Sequence, residues 1–125
     1  MLGRKNVVAT VAVRDMAVAE KFYGGTLGLR RVASEGEEAV EYEAGTSRLL
    51  VYRSQYAGTN RATAVTWMVG SDIDEIARAL KTKGVAFQRY DMPGAMLEGD
   101  VYVFGDLRNA WFEDPDGNVI ALVSR

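Results

Sequence analysis

The sequence predicts an α+β fold in which a single domain contains two β-α-β-β-β modules. Short apolar or alternating segments bounded by turn residues indicate strands in both halves. Each half also has one stretch with the apolar spacing of an amphipathic helix, placed after its first strand. A chain of 125 residues has the size of one domain, and neither half can bury a helix and a sheet face alone. We therefore expect one domain, 1–125, with module 1 at about residues 1–56 and module 2 at about residues 61–125.

Module 1 begins with an apolar segment at residues 7–13, which predicts a strand buried on both faces. Asp15 can cap a following helix, which we expect to end at Gly24-Gly25 and Gly28. In the later strands, alternation places Val40 and Tyr42 together on one side. The remaining strands of this module are predicted at residues 29–33, 39–44 and 48–53.

Module 2 follows a polar connector at residues 54–61 and starts with a predicted strand at residues 64–69. Asp72 and Glu75 have the spacing of a capping box, and Gly84 is suited to end the helix. Apolar residues recur at i, i+3, i+4 and i+7 of this helix, at Ile73, Ile76, Ala77 and Leu80. Strands are then predicted at residues 85–90, 101–104, 110–113 and 119–123, with a loop at 92–100 that is either a surface loop or a lid.

The last two strands are joined by Asp114-Pro115-Asp116-Gly117, which has the composition of a tight turn. Proline fixes φ at the second position of a turn, aspartate hydrogen-bonds the nearby backbone, and glycine accepts a positive φ. The sequence therefore predicts a β-hairpin at the end of the chain.

Composition excludes several classes of function. The net charge is −2, with no long run of lysine and arginine, so a nucleic-acid surface is not expected. The chain has no cysteine and no histidine, which excludes disulfides, thiol nucleophiles and Ser-His-Asp triads. No apolar run is long enough to span a bilayer, and the first residues lack the apolar core of a signal peptide. We expect a cytoplasmic protein without nucleic-acid or membrane partners.

Two motifs carry a resemblance to a known family. The first, V-x-D-M-x-x-A-x-x-F-Y-x-x-x-L-G-L, runs from Val13 to Leu29, and the second, D-P-D-G-N-x-I-x-L, runs from Asp114 to Leu122. Together they resemble the vicinal oxygen chelate superfamily, which includes glyoxalase I, extradiol dioxygenases, fosfomycin-resistance enzymes and bleomycin-resistance proteins. The resemblance implies paired modules whose curved sheets enclose a cavity, often across a dimer, so a homodimer is expected.

Metal-dependent members of that family hold a divalent ion with one histidine or glutamate from each of four strands. The resemblance assigns the four ligand positions to Val8, Leu50, Ala64 and Ala121. Aliphatic side chains cannot ligate a metal. We predict no metal, no cofactor and no metal-dependent glyoxalase or dioxygenase activity. The remaining carboxylates, Glu41, Glu43, Glu113 and Asp116, occupy alternating or turn positions that normally face water.

If the former ligand positions face a cavity, strand alternation predicts that their i±2 neighbours face it too. Trp67 has the opposite parity and is expected in the core beneath the second helix. The predicted ligand-binding residues are Tyr42, Leu50, Tyr52, Thr66, Met68, Trp111 and Ala121.

This apolar lining with a few hydroxyl groups predicts a metal-independent protein that binds a small apolar or aromatic molecule, of a sequestering or resistance type. An alternative is a metal-free lyase or isomerase that uses a tyrosine or glutamate in the same cavity, with Tyr42, Tyr52, Glu41 and Arg48 as candidates. A third possibility is a domain without a ligand that serves in assembly.

Overall fold

A computed structural model describes all 125 residues and has the α+β fold that the sequence predicts. The chain forms two compact units, Met1–Gly58 and Thr59–Arg125, and their boundary lies within the polar connector. Each unit contains one mixed sheet with a helix between its first two strands. Neither helix has the length or the apolar content needed to cross a membrane.

The first unit contains a four-stranded sheet in the order β1-β4-β3-β2. The first and last strands of this unit run parallel, and the other neighbours are antiparallel. Its strands are β1 (Ala9–Val13), β2 (Arg30–Glu35), β3 (Ala39–Ala44) and β4 (Ser47–Arg53). Alternation turns Val11, Val13, Leu49 and Val51 toward one face, where they are buried.

The helix of this unit, α1 (Met16–Glu20), begins at the predicted cap. The carboxylate Oδ1 of Asp15 accepts hydrogen bonds from the backbone N–H groups of Ala17 and Val18, at 2.9 and 3.1 Å. The helical segment does not end at Gly24-Gly25, because α1 continues directly into a π-helical turn, Lys21–Thr26, which is capped by Leu27. Gly24 and Gly25 lie inside this turn, and Gly28, with a φ of 74°, follows its capping residue as predicted.

The second unit contains a five-stranded sheet in the order β5-β9-β8-β7-β6. Its strands are β5 (Thr63–Met68), β6 (Met96–Glu98), β7 (Val101–Phe104), β8 (Leu107–Glu113) and β9 (Val119–Val123). Strands β5 and β9 are parallel, and the other neighbours are antiparallel. The sheet therefore repeats the arrangement of the first unit and adds β6 at one edge.

The second helix, α2 (Ile73–Thr82), buries Ile73, Ala77 and Leu80, which belong to the predicted apolar stripe. It begins differently from the prediction, since a 3₁₀ turn, Gly70–Asp72, precedes it and the Asp72 side chain makes no capping hydrogen bond. The backbone of Asp72 is not extended as a capping residue requires.

Two predictions for the middle of this unit are wrong. Residues 85–90 do not form a strand and make a single bridge, Phe87 to Phe112. Residues 96–98, predicted within a loop, pair with β7 as an edge strand. The register explains the first difference. Strand β7 pairs with β8 only as far as Asn109, so only the short remaining edge of β8 is left for residues 85–90, and they make one bridge there.

The hairpin between β8 and β9 forms as predicted. Oδ1 of Asp114 accepts hydrogen bonds from the backbone N–H groups of Asp116 and Asn118, each at 2.9 Å. Gly117 adopts a φ of 90°, which is the left-handed conformation expected at that turn position. The side chains of Asp114 and Asn118 are buried, so the turn is held by side chains that are largely shielded from water.

Candidate functional site

Each sheet has one face packed against the helix of its own unit and one face directed away from that helix, which we call the open face. In the first unit the strand register defines two rows of side chains on this face. One row contains Thr10, Leu50 and Glu41, and the next contains Ala12, Tyr52 and Ala39. The structure therefore brings the predicted residues Leu50 and Tyr52 together on one face.

Tyr42 lies on the other face of the same sheet, so it does not join Leu50 and Tyr52. It stands opposite the buried Leu49, its exposed fraction is 2%, and its ring centroid lies 6.3 Å from that of Tyr23. Burial, with a smaller contribution from Glu20, raises the pKa of the Tyr42 hydroxyl. Tyr42 is a core residue of the first unit, because β3 directs it to the same face as the apolar residue Val40.

The open face of the first unit also carries a carboxylate beside the predicted residues. Glu41 stands directly opposite Leu50 and diagonally from Tyr52. Its Oε1 lies 3.8 Å from the guanidinium of Arg48. The side chain is 35% exposed, and Tyr52 is 39% exposed. An acid and a phenol therefore occur on the same face as diagonal neighbours, which in a sheet are generally about 7–8 Å apart.

The open face of the second unit holds the other four predicted residues. Thr66, Ala121 and Trp111 form one row across three neighbouring strands. Met68 is opposite Val123 in the next row and is 74% exposed. Ala121 is buried between its larger neighbours, and Trp67 has the opposite parity, beside Leu122 on the helix face, as predicted.

Two tyrosines surround Trp111. The ring centroids of Tyr90 and Tyr102 lie 5.5 and 5.8 Å from that of Trp111, and both pairs are edge-on. The hydroxyl of Tyr102 donates to the backbone carbonyl of Tyr90 at 3.0 Å and accepts from its N–H at 2.6 Å. Burial raises the pKa of the Tyr90 hydroxyl, and the nearby Glu113 and Tyr102 add to this shift. The packing holds the indole of Trp111 in one orientation.

Asn109 is a residue of this face that the sequence analysis did not select. It precedes Trp111 by two positions on β8 and stands opposite Tyr102 on β7 and Val123 on β9. Its amide oxygen Oδ1 is buried and has no hydrogen-bond partner. Parity with Trp111 was the available signal, since residues two apart on a strand share a face.

The four positions that the family resemblance assigns to metal ligands do not fit a metal ion. Val8, Leu50, Ala64 and Ala121 offer only aliphatic carbon to a ligand in this structure. No group of three or more carboxylates, histidines or cysteines is arranged to hold a metal elsewhere. No chemical step at these positions can therefore be assigned to a divalent ion.

Comparisons with known proteins agree with this description of the fold. The sequence profile of the Glyoxalase/Bleomycin resistance protein/Dioxygenase superfamily matches residues 6–122. No curated protein matches the chain by sequence.

Several solved structures are similar over nearly the whole chain. A glyoxalase family protein from Enterococcus faecalis has a TM-score of 0.73 at 16% identity, covering 98% of this chain and 99% of its own. The fosfomycin resistance protein FosX from Mesorhizobium loti has a TM-score of 0.70 at 15% identity, covering 100% of this chain and 94% of its own. A lactoylglutathione lyase from Agrobacterium tumefaciens has a TM-score of 0.69 at 16% identity, covering 96% of this chain and 92% of its own. At these identities the similarity establishes the fold.

Proposed function

The chain belongs to the Glyoxalase/Bleomycin resistance protein/Dioxygenase superfamily, and we propose that it is a metal-independent member that binds a small apolar or aromatic molecule. Its role is then sequestration or resistance rather than metal-dependent turnover. The observation that carries this proposal is the row of Thr66, Ala121 and Trp111 on the open face of the second sheet.

The shape and chemistry of this row favour a flat apolar ligand. Ala121 is small and is flanked by a hydroxyl on one strand and an indole on the other. Ligand sites generally combine apolar and aromatic surface with a few polar groups that fix orientation. Stacking on an aromatic ring adds about 0.5–1.5 kcal/mol to the free energy gained from apolar burial.

The absence of ligating side chains at the family's four metal positions supports the metal-independent part of the proposal. A substitution of one ligand would leave a weakened site, whereas here all four positions are aliphatic. Members that use a metal need histidine or carboxylate groups that converge on one point, and this chain contains no histidine.

A second candidate function is a metal-free lyase or isomerase. It is favoured by one observation, namely that Glu41 on β3 and Tyr52 on the neighbouring strand β4 share the open face of the first sheet. Glu41→Gln and Tyr52→Phe keep the shape of each side chain and remove its acid–base function. Loss of turnover with retained binding in either variant would favour the enzyme over the binding protein.

The deciding experiment is native mass spectrometry on protein purified gently, without chelator and without added metal. We expect a homodimer, as the family resemblance implies, with no metal and with a co-purified organic adduct whose mass identifies the ligand class. A stoichiometric divalent ion in the protein would contradict the proposal. A monomer would contradict the expected homodimer and leave the ligand result to be judged separately.

A titration with indole and phenol locates the binding face. We expect Trp111→Leu to weaken binding of these probes about tenfold, which corresponds to about 1.4 kcal/mol. Trp67→Leu is the matched control, because Trp67 lies on the helix face of the same sheet. If wild-type protein binds neither probe and carries no adduct, the chain is better described as an assembly domain without a ligand.

A further inference from the structure

A polar group on the open face of the second sheet lacks a hydrogen-bond partner. The amide oxygen of Asn109 is buried and unpaired, although the side chain as a whole is only half-buried. Buried amide groups in folded proteins are almost always paired with protein or water, because leaving one unpaired costs free energy. An unpaired acceptor beside a candidate binding surface therefore indicates where a ligand or a water supplies the missing donor.

The neighbouring hydroxyl groups do not supply the donor that the Asn109 oxygen lacks. The hydroxyl of Tyr102, directly across from Asn109, already donates to and accepts from the backbone of Tyr90. A phenol has a single O–H to donate, and that of Tyr102 is in use. The hydroxyl of Thr66 is exposed to water and makes no hydrogen bond to the Asn109 oxygen.

The distance from Asn109 to Trp111 suits a single ring. Residues two apart on a strand point in the same direction, about 6.6–6.8 Å from each other. A six-membered ring with one polar substituent has about this length, so its face can contact the indole while its substituent reaches the amide. The oxygen is covered in the free protein, and rotation of the amide about its broad terminal torsion would bring it to the open face, where it can meet such a donor.

We infer that Asn109 determines ligand specificity at this face, by accepting a hydrogen bond from an N–H or O–H donor on a flat apolar ligand that lies against Trp111. The inference rests on the proposed function and narrows it. The ligand class becomes phenol-like or indole-like molecules that carry a donor. Purely hydrocarbon rings and ethers are discriminated against, since they leave the amide oxygen unpaired.

Matched probe pairs test this inference. Phenol is compared with anisole, and indole with 1-methylindole, because each pair differs by replacement of the donor hydrogen with a methyl group. We expect wild-type protein to prefer the donor of each pair by about tenfold. Asn109→Leu should remove the preference, and Asn109→Asp should keep it because the carboxylate is still an acceptor. Thr82→Val, at an exposed position on α2, should leave it unchanged.

A second measurement guards against a variant that merely misfolds. In the ligand-free protein, Asn109→Leu should unfold at an equal or higher temperature than wild type, because an unpaired buried amide is replaced by an apolar group of similar size. If that variant does not fold, Asn109→Ala is measured in its place with the same expected loss of preference.

The outcomes distinguish a failure of the role of Asn109 from a failure of the proposed function. Probes that bind to wild type and to Asn109→Leu with the same donor preference would overturn the role of Asn109 and assign a water to the amide. A wild-type preference for anisole over phenol would overturn the donor class. Failure of wild type to bind any probe would overturn the proposed function, and this inference with it.

Discussion

Asp114 and Asn118 are connected across the last turn by three hydrogen bonds. The carboxylate of Asp114 accepts from the backbone N–H of Asn118 at 2.9 Å and from its side-chain Nδ2 at 2.8 Å. In return, the backbone N–H of Asp114 donates to the carbonyl of Asn118 at 3.0 Å. This pair holds β8 and β9 in the register that places Trp111 beside Ala121.

Removal of the Asp114 carboxylate should therefore destabilise the second unit. We expect Asp114→Ala to lower the free energy of unfolding by about 2–3 kcal/mol, because the turn loses the acceptor for buried N–H groups. Urea denaturation measures this change. Asp106→Ala, in the exposed turn between β7 and β8, is the control and should change stability by less than about 0.5 kcal/mol. Equal effects of the two variants would contradict the role of the buried turn.

Two tyrosines on neighbouring strands of the first unit should respond differently to truncation. Tyr42 is 2% exposed in the core, and Tyr52 is 39% exposed on the open face. We expect Tyr42→Ala to cost about 3–5 kcal/mol of stability, as for other large core residues. Tyr52→Ala should cost less than about 1 kcal/mol. Thermal denaturation of both variants tests the assignment of faces, and a larger loss for Tyr52→Ala would refute it.

The loss of protein stability at low pH should depend on Asp100. Its Oδ1 accepts from Arg89 at 2.7 Å, and its Oδ2 lies 3.4 Å from Nζ of Lys81. The hydrogen bond from Arg89 lowers the pKa of Asp100. Partial burial opposes this decrease, and Lys81 adds to it. A lowered folded-state pKa stabilises the protein above the unfolded-state pKa of about 3.9, and this contribution is lost as the pH falls through the folded-state value.

We therefore expect Asp100→Asn to lose less stability than wild type when the pH is lowered below about 4. Arg89→Met should also reduce the loss of stability with falling pH, because it removes the donor that lowers the pKa of Asp100. Urea denaturation across the acid range measures both effects. A wild-type slope in both variants would show that this ion pair has no part in acid unfolding.

Much of the fold could be predicted because its signals are local. Strands β3 and β9 have the predicted limits, since alternation in one and continuous apolar residues in the other are read directly from the sequence. The stripe of α2 and its end at Gly84 were equally evident, and Gly84 has a φ of 94°. The edge strand β6 was missed because its pairing depends on a distant partner, β7, and all three of its residues are exposed.

The candidate site was predicted less completely, for a related reason. Alternation grouped Thr66, Met68 and Ala121 correctly, because parity within a strand is fixed by the backbone. Tyr42 was misplaced because its aromatic character suggested stacking, although its parity with Val40 already indicated the core. No sequence signal shows that the amide of Asn109 lacks a partner, since this depends on the side chains that three strands place around it.

The π-helical turn at Lys21–Thr26 has a consequence for how the chain tolerates changes in length. The N–H of Leu27 donates to the carbonyl of Phe22, five residues earlier, at 2.8 Å, where an α-helix would use four. The turn therefore holds one spare residue, so deleting Gly25 should leave a cooperative thermal transition. Deleting Glu43 within β3 should abolish that transition, because the remaining side chains of the strand would exchange faces. We therefore expect that loss of one residue between α1 and β2 changes only this turn and leaves the register of the strands that carry the candidate site unchanged.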